Sequence, residues 1–175
     1  MAESVVKEIV SKGGVAVADT NSVIEGDKII KTAVDKFGRV DILINNAGTS
    51  VLGIFSKQDD KGWKATMDSH VFGAYKCTRA AWNIMREQGY GRIVNIASLA
   101  GLYGDHGLSS YSAAKSAVIG FTQSLAIEGV KRNIFANVVA PLADTRMLRA
   151  LKLNDKLVNL LEPVHCVPLI GYLCH

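Results

Sequence analysis

Val40-Asp41-Ile42-Leu43-Ile44-Asn45-Asn46-Ala47-Gly48 is the stretch whose reading decides the fold. An unbroken apolar run between Asp41 and Asn46 predicts a strand over 40–45 that is covered on both faces, as strands of a parallel sheet are. Small and amide residues directly after it let backbone come close to a ligand, or simply make a turn. The next question is whether the segments on either side alternate with it.

They do. Toward the N-terminus, Ser22 followed by Glu25 predicts a capping box opening a helix over 22–37, closed by Gly38. A short β-type run over 15–19 precedes it, and apolar Val5, Val6, Ile9 and Val10 predict a first helix over 3–12 ending at Gly13-Gly14. Toward the C-terminus, Trp63, Met67, Val71, Ala74, Thr78, Ala81 and Met85 recur at helical spacing and predict one long helix over 59–88. A buried strand over 92–97, a loop over 99–108, a helix over 109–129 and a strand over 134–139 ending at Pro141 follow. The tail from Asn154 reads as two short helices, with Pro163 at a first turn. Strand–helix alternation of this kind predicts an α/β, Rossmann-like parallel sheet with helices on both faces and ligands at the carboxyl ends of its strands.

Composition agrees with one domain. The 175 residues are 49% hydrophobic and 21% charged with only 3 prolines, which excludes a low-complexity chain. The net charge of +4 is scattered, so neither a nucleic-acid arm nor a polybasic membrane anchor is expected. No apolar run approaches a membrane span, and the first residues do not read as a signal peptide, so the expectation is a chain that is neither membrane-bound nor secreted. Cys77, Cys166 and Cys174 are odd in number and far apart, which points to a reducing compartment. His165-Cys166 and Cys174-His175 fit no usual zinc spacing, and no metal site is expected.

The most informative spacing for chemistry is Tyr111-Ser112-Ala113-Ala114-Lys115, because residues four apart on a helix share a face and an ammonium then lies near a phenol. A nearby positive charge favours phenolate and brings a phenol toward acid/base work near neutral pH. Alone, such a pair is common on helix surfaces. Ser98, at the carboxyl end of the strand over 92–97, is a hydroxyl where a substrate oxygen would sit, and by itself reads equally as a turn residue.

In order, type and spacing, Asn45-Asn46-Ala47-Gly48, Ser98, Tyr111 and Lys115 resemble the short-chain dehydrogenase/reductase family over nearly the whole chain. Within it, KFGRVDILINNAG, YGRIVNIAS, GLYGDHGLSSYSAAK and VAPLADTRM look most like the branch formed by the (3R)-hydroxyacyl-CoA dehydrogenase parts of peroxisomal multifunctional β-oxidation enzymes, fungal forms especially. The resemblance implies hydride transfer between a nicotinamide cofactor, NAD or NADP with NAD favoured, and a 3-hydroxyacyl-CoA or its 3-oxo counterpart. Tyr111 would exchange the proton, Lys115 would lower its pKa and hold the ribose, and Ser98 would polarise the carbonyl. His70 stands where many members carry an asparagine of the catalytic set. Cofactor contacts are implied at Asp19, Asn21, Asn46, Ala47, Gly48, Tyr111, Lys115, Pro141 and Thr145, and His106 is expected in the substrate-pocket wall.

Resemblance further implies a homodimer pairing the helices over 59–88 and 109–129, and a peroxisomal or otherwise cytoplasmic placement. The family's glycine-rich phosphate turn, with its strand–helix–strand, has no counterpart ahead of the first helix, nor is the family's last strand found. The expectation is therefore a single partial dinucleotide-binding domain whose strand at 15–19 pairs directly with 40–45, or whose open edge another segment fills. Such a chain is expected to bind NADH weakly by itself. Two alternatives follow: a cofactor-deficient fragment with a binding role, and a 3-oxoacyl carrier-protein reductase.

Overall fold

The computed structural model describes residues 2–49, 51–149 and 160–175. Strands β1 (Ile42–Asn45), β2 (Gly91–Ile96) and β3 (Ile134–Val139) form one parallel sheet in the order β1-β2-β3. Leu43 pairs with Ile93 and Ile93 with Ala136, while Asn45 pairs with Asn95 and Asn95 with Val138. This register brings all three carboxyl ends to one edge, because parallel neighbours reached through crossover helices run the same way.

Around the sheet lie α1 (Ala2–Ser11), α2 (Gly26–Phe37), α3 (Asp60–Met67), α4 (Gly73–Gln88), α5 (Ala100–Tyr103), α6 (Ser109–Gly129), α7 (Arg146–Arg149) and a last helix, Val167–Leu173. Ile30 of α2, Ala81 and Met85 of α4, and Leu125 of α6 close over Ile93, Ile134 and Ala136. Fully burying side chains of this size stabilises the fold by roughly 1.5–3 kcal/mol each. Gly26 permits a close approach of two helices: a Cβ there would lie 2.4 Å from the Cys77 backbone nitrogen, so only glycine lets α2 cross α4 at this point. On the opposite face Val94, Ile96 and Val139 are covered by Ile170, Leu173 and Cys174. Helices on both faces of a parallel sheet are the architecture the alternation predicts.

Four local expectations are corrected. Residues 15–19 form no strand, and Val15 and Val17 are exposed, because no strand of the sheet lies beside them. Consequently β1 is an edge among the described residues, paired on one side only. Nor is it covered on both faces: Leu43 packs on the core formed with α2 and α4, whereas Ile42 and Ile44 are exposed. The Ser22–Glu25 capping box is not made. The chain enters α2 through a 3-10 turn, Val23–Glu25, whose preceding Ser22 gives no side-chain cap, and Glu25 pairs instead with Lys28.

The helix expected over 59–88 is interrupted. Asp59 does cap it, its carboxylate accepting from the Gly62 N–H at 2.7 Å. At Asp68–Phe72, however, the chain makes a π-helical turn in which the Gly73 N–H reaches back to the Asp68 carbonyl. Such a turn inserts a residue into the helical ladder, and here it carries His70. In the tail, Pro163 opens a 3-10 turn, Pro163–Cys166, as expected, while residues 154–159 lie outside the described residues.

Candidate active site

At the carboxyl edge of the sheet, the segments leaving β1, β2 and β3 surround a cleft of about 710 Å³. Asn46, Ala47 and Gly48 follow β1, Ser98 follows β2, Pro141 and Thr145 follow β3, and Tyr111 and Lys115 project from the first turns of α6. Behind them the strand ends are tied together. Asn45 Nδ2 donates to Asn95 Oδ1 at 2.8 Å and to Thr78 of α4, and Asn95 Nδ2 donates to Thr122 of α6 at 2.9 Å. Asn95 is fully buried, so each satisfied amide avoids an unpaired polar group costing about 1–3 kcal/mol.

Ser98, Tyr111 and Lys115 meet across this floor. Ser98 and the Tyr111 phenol face the same cleft, and Ser98 Oγ accepts from the Ala100 N–H at 3.2 Å. Lys115 Nζ donates to the Ile96 carbonyl at 2.5 Å and lies 5.6 Å from the Tyr111 ring centre. Burial pushes the Lys115 ammonium down to about 8, leaving it mostly charged at neutral pH. Burial also holds the Tyr111 phenol above its ordinary range, with the nearby Ser98 hydroxyl pulling the other way. Lys115 takes no part in setting that direction, its ammonium being turned to the Ile96 carbonyl.

His70 comes from the π-turn to stand edge-on to Tyr111, with ring centres 5.2 Å apart. Burial lowers the imidazole to about 4, the Lys115 charge adds to that, and the hydrogen bond to Thr49 opposes both. The ring is therefore neutral at pH 7. Its Nε2 lies 2.5 Å from the Thr49 carbonyl, which only accepts, so the proton resides on Nε2 and Nδ1 is left as a buried acceptor with no partner among the described residues. Gly48 makes room for it: a Cβ at Gly48 would lie 2.0 Å from His70 Cε1. The glycine of Asn-Ala-Gly thus serves a side chain on another element.

Of the expected site residues, Asp19 and Asn21 do not reach the cleft. Asp19 accepts from the Asn21 N–H at 2.8 Å and from Thr32 Oγ1 at 2.6 Å, an Asx turn ahead of α2, and the Thr32 bond above all keeps its carboxyl below the usual range. His106 does not line the cleft either. Its loop presents Asp105 and Leu108 instead, since the His106 N–H is drawn back to Asp105 Oδ1 at 2.7 Å. Thr145 lines the cleft while its Oγ1 accepts from the Leu148 N–H. Sequence reasoning missed the apolar wall formed by Leu52, Leu99, Leu108, Leu142 and Leu148. These leucines lie on three segments, after β1, between β2 and α6, and after β3, where no periodicity marks them.

Cleft position, sheet order and the Ser–Tyr–Lys set together define an α/β oxidoreductase-type domain. The chain belongs to the short chain dehydrogenase family, whose model matches residues 1–156. It is 49% identical over 174 residues to a peroxisomal hydratase-dehydrogenase-epimerase of Neurospora crassa, covering 99% of this chain and 19% of that protein. Among solved structures, the full-length peroxisomal multifunctional enzyme type 2 from Drosophila melanogaster superposes with a TM-score of 0.84 at 40% identity, over 99% of this chain and 30% of that one. An NAD+-bound xylitol dehydrogenase matches with a TM-score of 0.77 at 28% identity, over 80% of this chain and 55% of that one. The chain thus spans about a fifth to a third of the length of the multifunctional proteins it matches.

Proposed function

We propose that residues 1–175 form one unit of a nicotinamide-dependent dehydrogenase acting on a 3-hydroxyacyl-CoA or its 3-oxo counterpart in peroxisomal β-oxidation. The observation that carries this reading is the convergence of Ser98, Tyr111 and Lys115 on a cleft whose other wall is leucine. Leu52, Leu99 and Leu142 are each nearly half exposed inside that cleft, apolar surface that an acyl chain would cover.

The residues present suit the nicotinamide end of a dinucleotide. Lys115 is buried, and among the described residues it meets no carboxylate and bonds only Ile96, which leaves N–H groups for the hydroxyls of a ribose. Asn46, Ala47 and Gly48 offer a close backbone wall on one side, and Pro141 and Thr145 on the other. When bound, nicotinamide supplies or accepts the hydride; the likeness to an NAD+-bound neighbour favours NAD. Tyr111 Oη exchanges the proton of the substrate oxygen, and Ser98 Oγ donates to that oxygen as charge develops on it. His70 holds the loop after β1 through Thr49 and positions the Tyr111 ring. Peroxisomal placement rests on the relatives' names; among the described residues no helix is long and apolar enough to cross a membrane. Ile127 on α6 leaves apolar surface for a second copy, and the assembly is read as a homodimer.

Turnover of 3-hydroxyacyl-CoA with NAD tests the reading, with the acyl-carrier-protein ester as competitor substrate. NADH fluorescence titration is run on the chain alone and on the chain preceded by a glycine-rich strand–helix–strand. Tyr111→Phe is expected to lose about 10²- to 10⁴-fold in rate while NADH binding persists. Retention of a tenth of the rate removes Tyr111 from the mechanism, and preference for the carrier-protein ester replaces the substrate assignment.

A further inference from the structure

Two loops that are far apart in sequence are zipped together above Tyr111. Gly53 N–H donates to the Gly107 carbonyl at 3.0 Å. Gln58 Nε2 donates to the Gly53 carbonyl at 2.8 Å, and Ser109 Oγ donates to Gln58 Oε1 at 2.9 Å. Gly107 sits at φ +73°, and a Cβ there would already touch Gly53, so the two backbones run side by side with nothing between them. Gln58 is partly buried and does not line the cleft, yet the residues flanking its partners do: Leu52 beside Gly53, and Leu108 between Gly107 and Ser109. Ser109 also begins α6, two residues before Tyr111.

Both polar ends of one amide are therefore occupied by opposite sides of the cleft rim. An amide is the side chain suited to this, because it presents one donor group and one acceptor at a fixed separation. We propose that Gln58 is a positioning residue that fixes the Leu52–Leu108 wall against the first turn of α6, so that acyl-chain recognition depends on a side chain that never touches substrate. The proposal rests on the acyl-substrate reading above for its functional half, and on geometry alone for its structural half.

The test has two arms on Gln58→Leu, which keeps the bulk and removes both bonds, and on Gln58→Glu, which keeps the acceptor for Ser109 and loses the donor to Gly53. The first arm is amide exchange of Gly53 in the chain itself, with thermal unfolding confirming that each variant is folded. Exchange is expected to accelerate about 5- to 20-fold in Gln58→Leu, the loss of roughly one to two hydrogen bonds' protection, and Ser109→Ala added to it should give no further increase. Unchanged protection of Gly53 overturns the zipper. The second arm compares short and long 3-hydroxyacyl-CoA esters. Gln58→Leu is expected to raise KM for the long ester about 5- to 10-fold, with kcat and the short-ester KM held within twofold. Equal effects on both esters overturn the positioning role in recognition. If the wild-type chain preceded by the glycine-rich strand–helix–strand binds NADH yet turns over neither ester, the acyl reading is refuted while the exchange arm still decides the zipper.

Discussion

Titration of His70 should appear as acid destabilisation of the whole domain. In the folded chain the imidazole titrates at about 4 against an ordinary value of 6.5. Above that ordinary value both states hold it neutral and it contributes no pH dependence. As pH falls below 6.5 the unfolded chain takes up a proton that the folded chain refuses, so stability drops until the folded-state value is reached. At about 1.4 kcal/mol per unit, the loss reaches about 2 kcal/mol at pH 5 and about 3 kcal/mol below the folded-state pKa. Urea unfolding between pH 5 and 7.5, on the wild-type chain and on His70→Asn, isolates this group, because other titrations are common to both. The difference in stability between them should change by about 2 kcal/mol across that range. A ring nitrogen correlation spectrum at pH 7 should independently show the proton on Nε2. Parallel pH profiles for the two proteins would refute the buried neutral assignment.

Lys115 should act in the alkaline range. Its folded-state value of about 8 lies below the ordinary 10.5, so the unfolded state holds the extra proton between them and stability should rise with pH over that window. Lys115→Met should abolish the rise, as urea midpoints at pH 7.5 and 10 would show. Gly48→Ala should cost roughly 2–5 kcal/mol, from displacing a packed ring and breaking the His70–Thr49 bond, and the His70 pKa by proton NMR should move up toward 6.5. A fully stable variant with an unmoved imidazole would show that the ring tolerates the added methyl group.

Much of the architecture is written locally. The apolar run of β1, the all-buried run of β2 and the spacing along α4 and α6 are patterns that period and length alone disclose. Tyr111 and Lys115 share a face because any helix through them puts them there, and Ser98 falls at a strand end because the run before it stops. Other features depend on what a segment meets. Residues 15–19 have strand composition but no partner, and a strand exists only as a pair, so they stay irregular. The π-turn at Asp68–Phe72 carries the buried His70, and no periodicity announces one inserted residue. Burial also sets the protonation states: it makes His70 neutral, holds Tyr111 up and brings Lys115 down.

Sequence by itself determined the α/β class and the alternation of the three paired strands with helices, since these rest on side chains near one another along the chain, while Ser98, Tyr111 and Lys115 stood out only through resemblance to a family. Only the tertiary structure decided that Asp19 and Asn21 turn away, that five leucines from three segments make one wall, and that Gly48 exists for His70. These depend on distances between residues remote in sequence, and a linear pattern carries no information on which remote groups a buried side chain will touch.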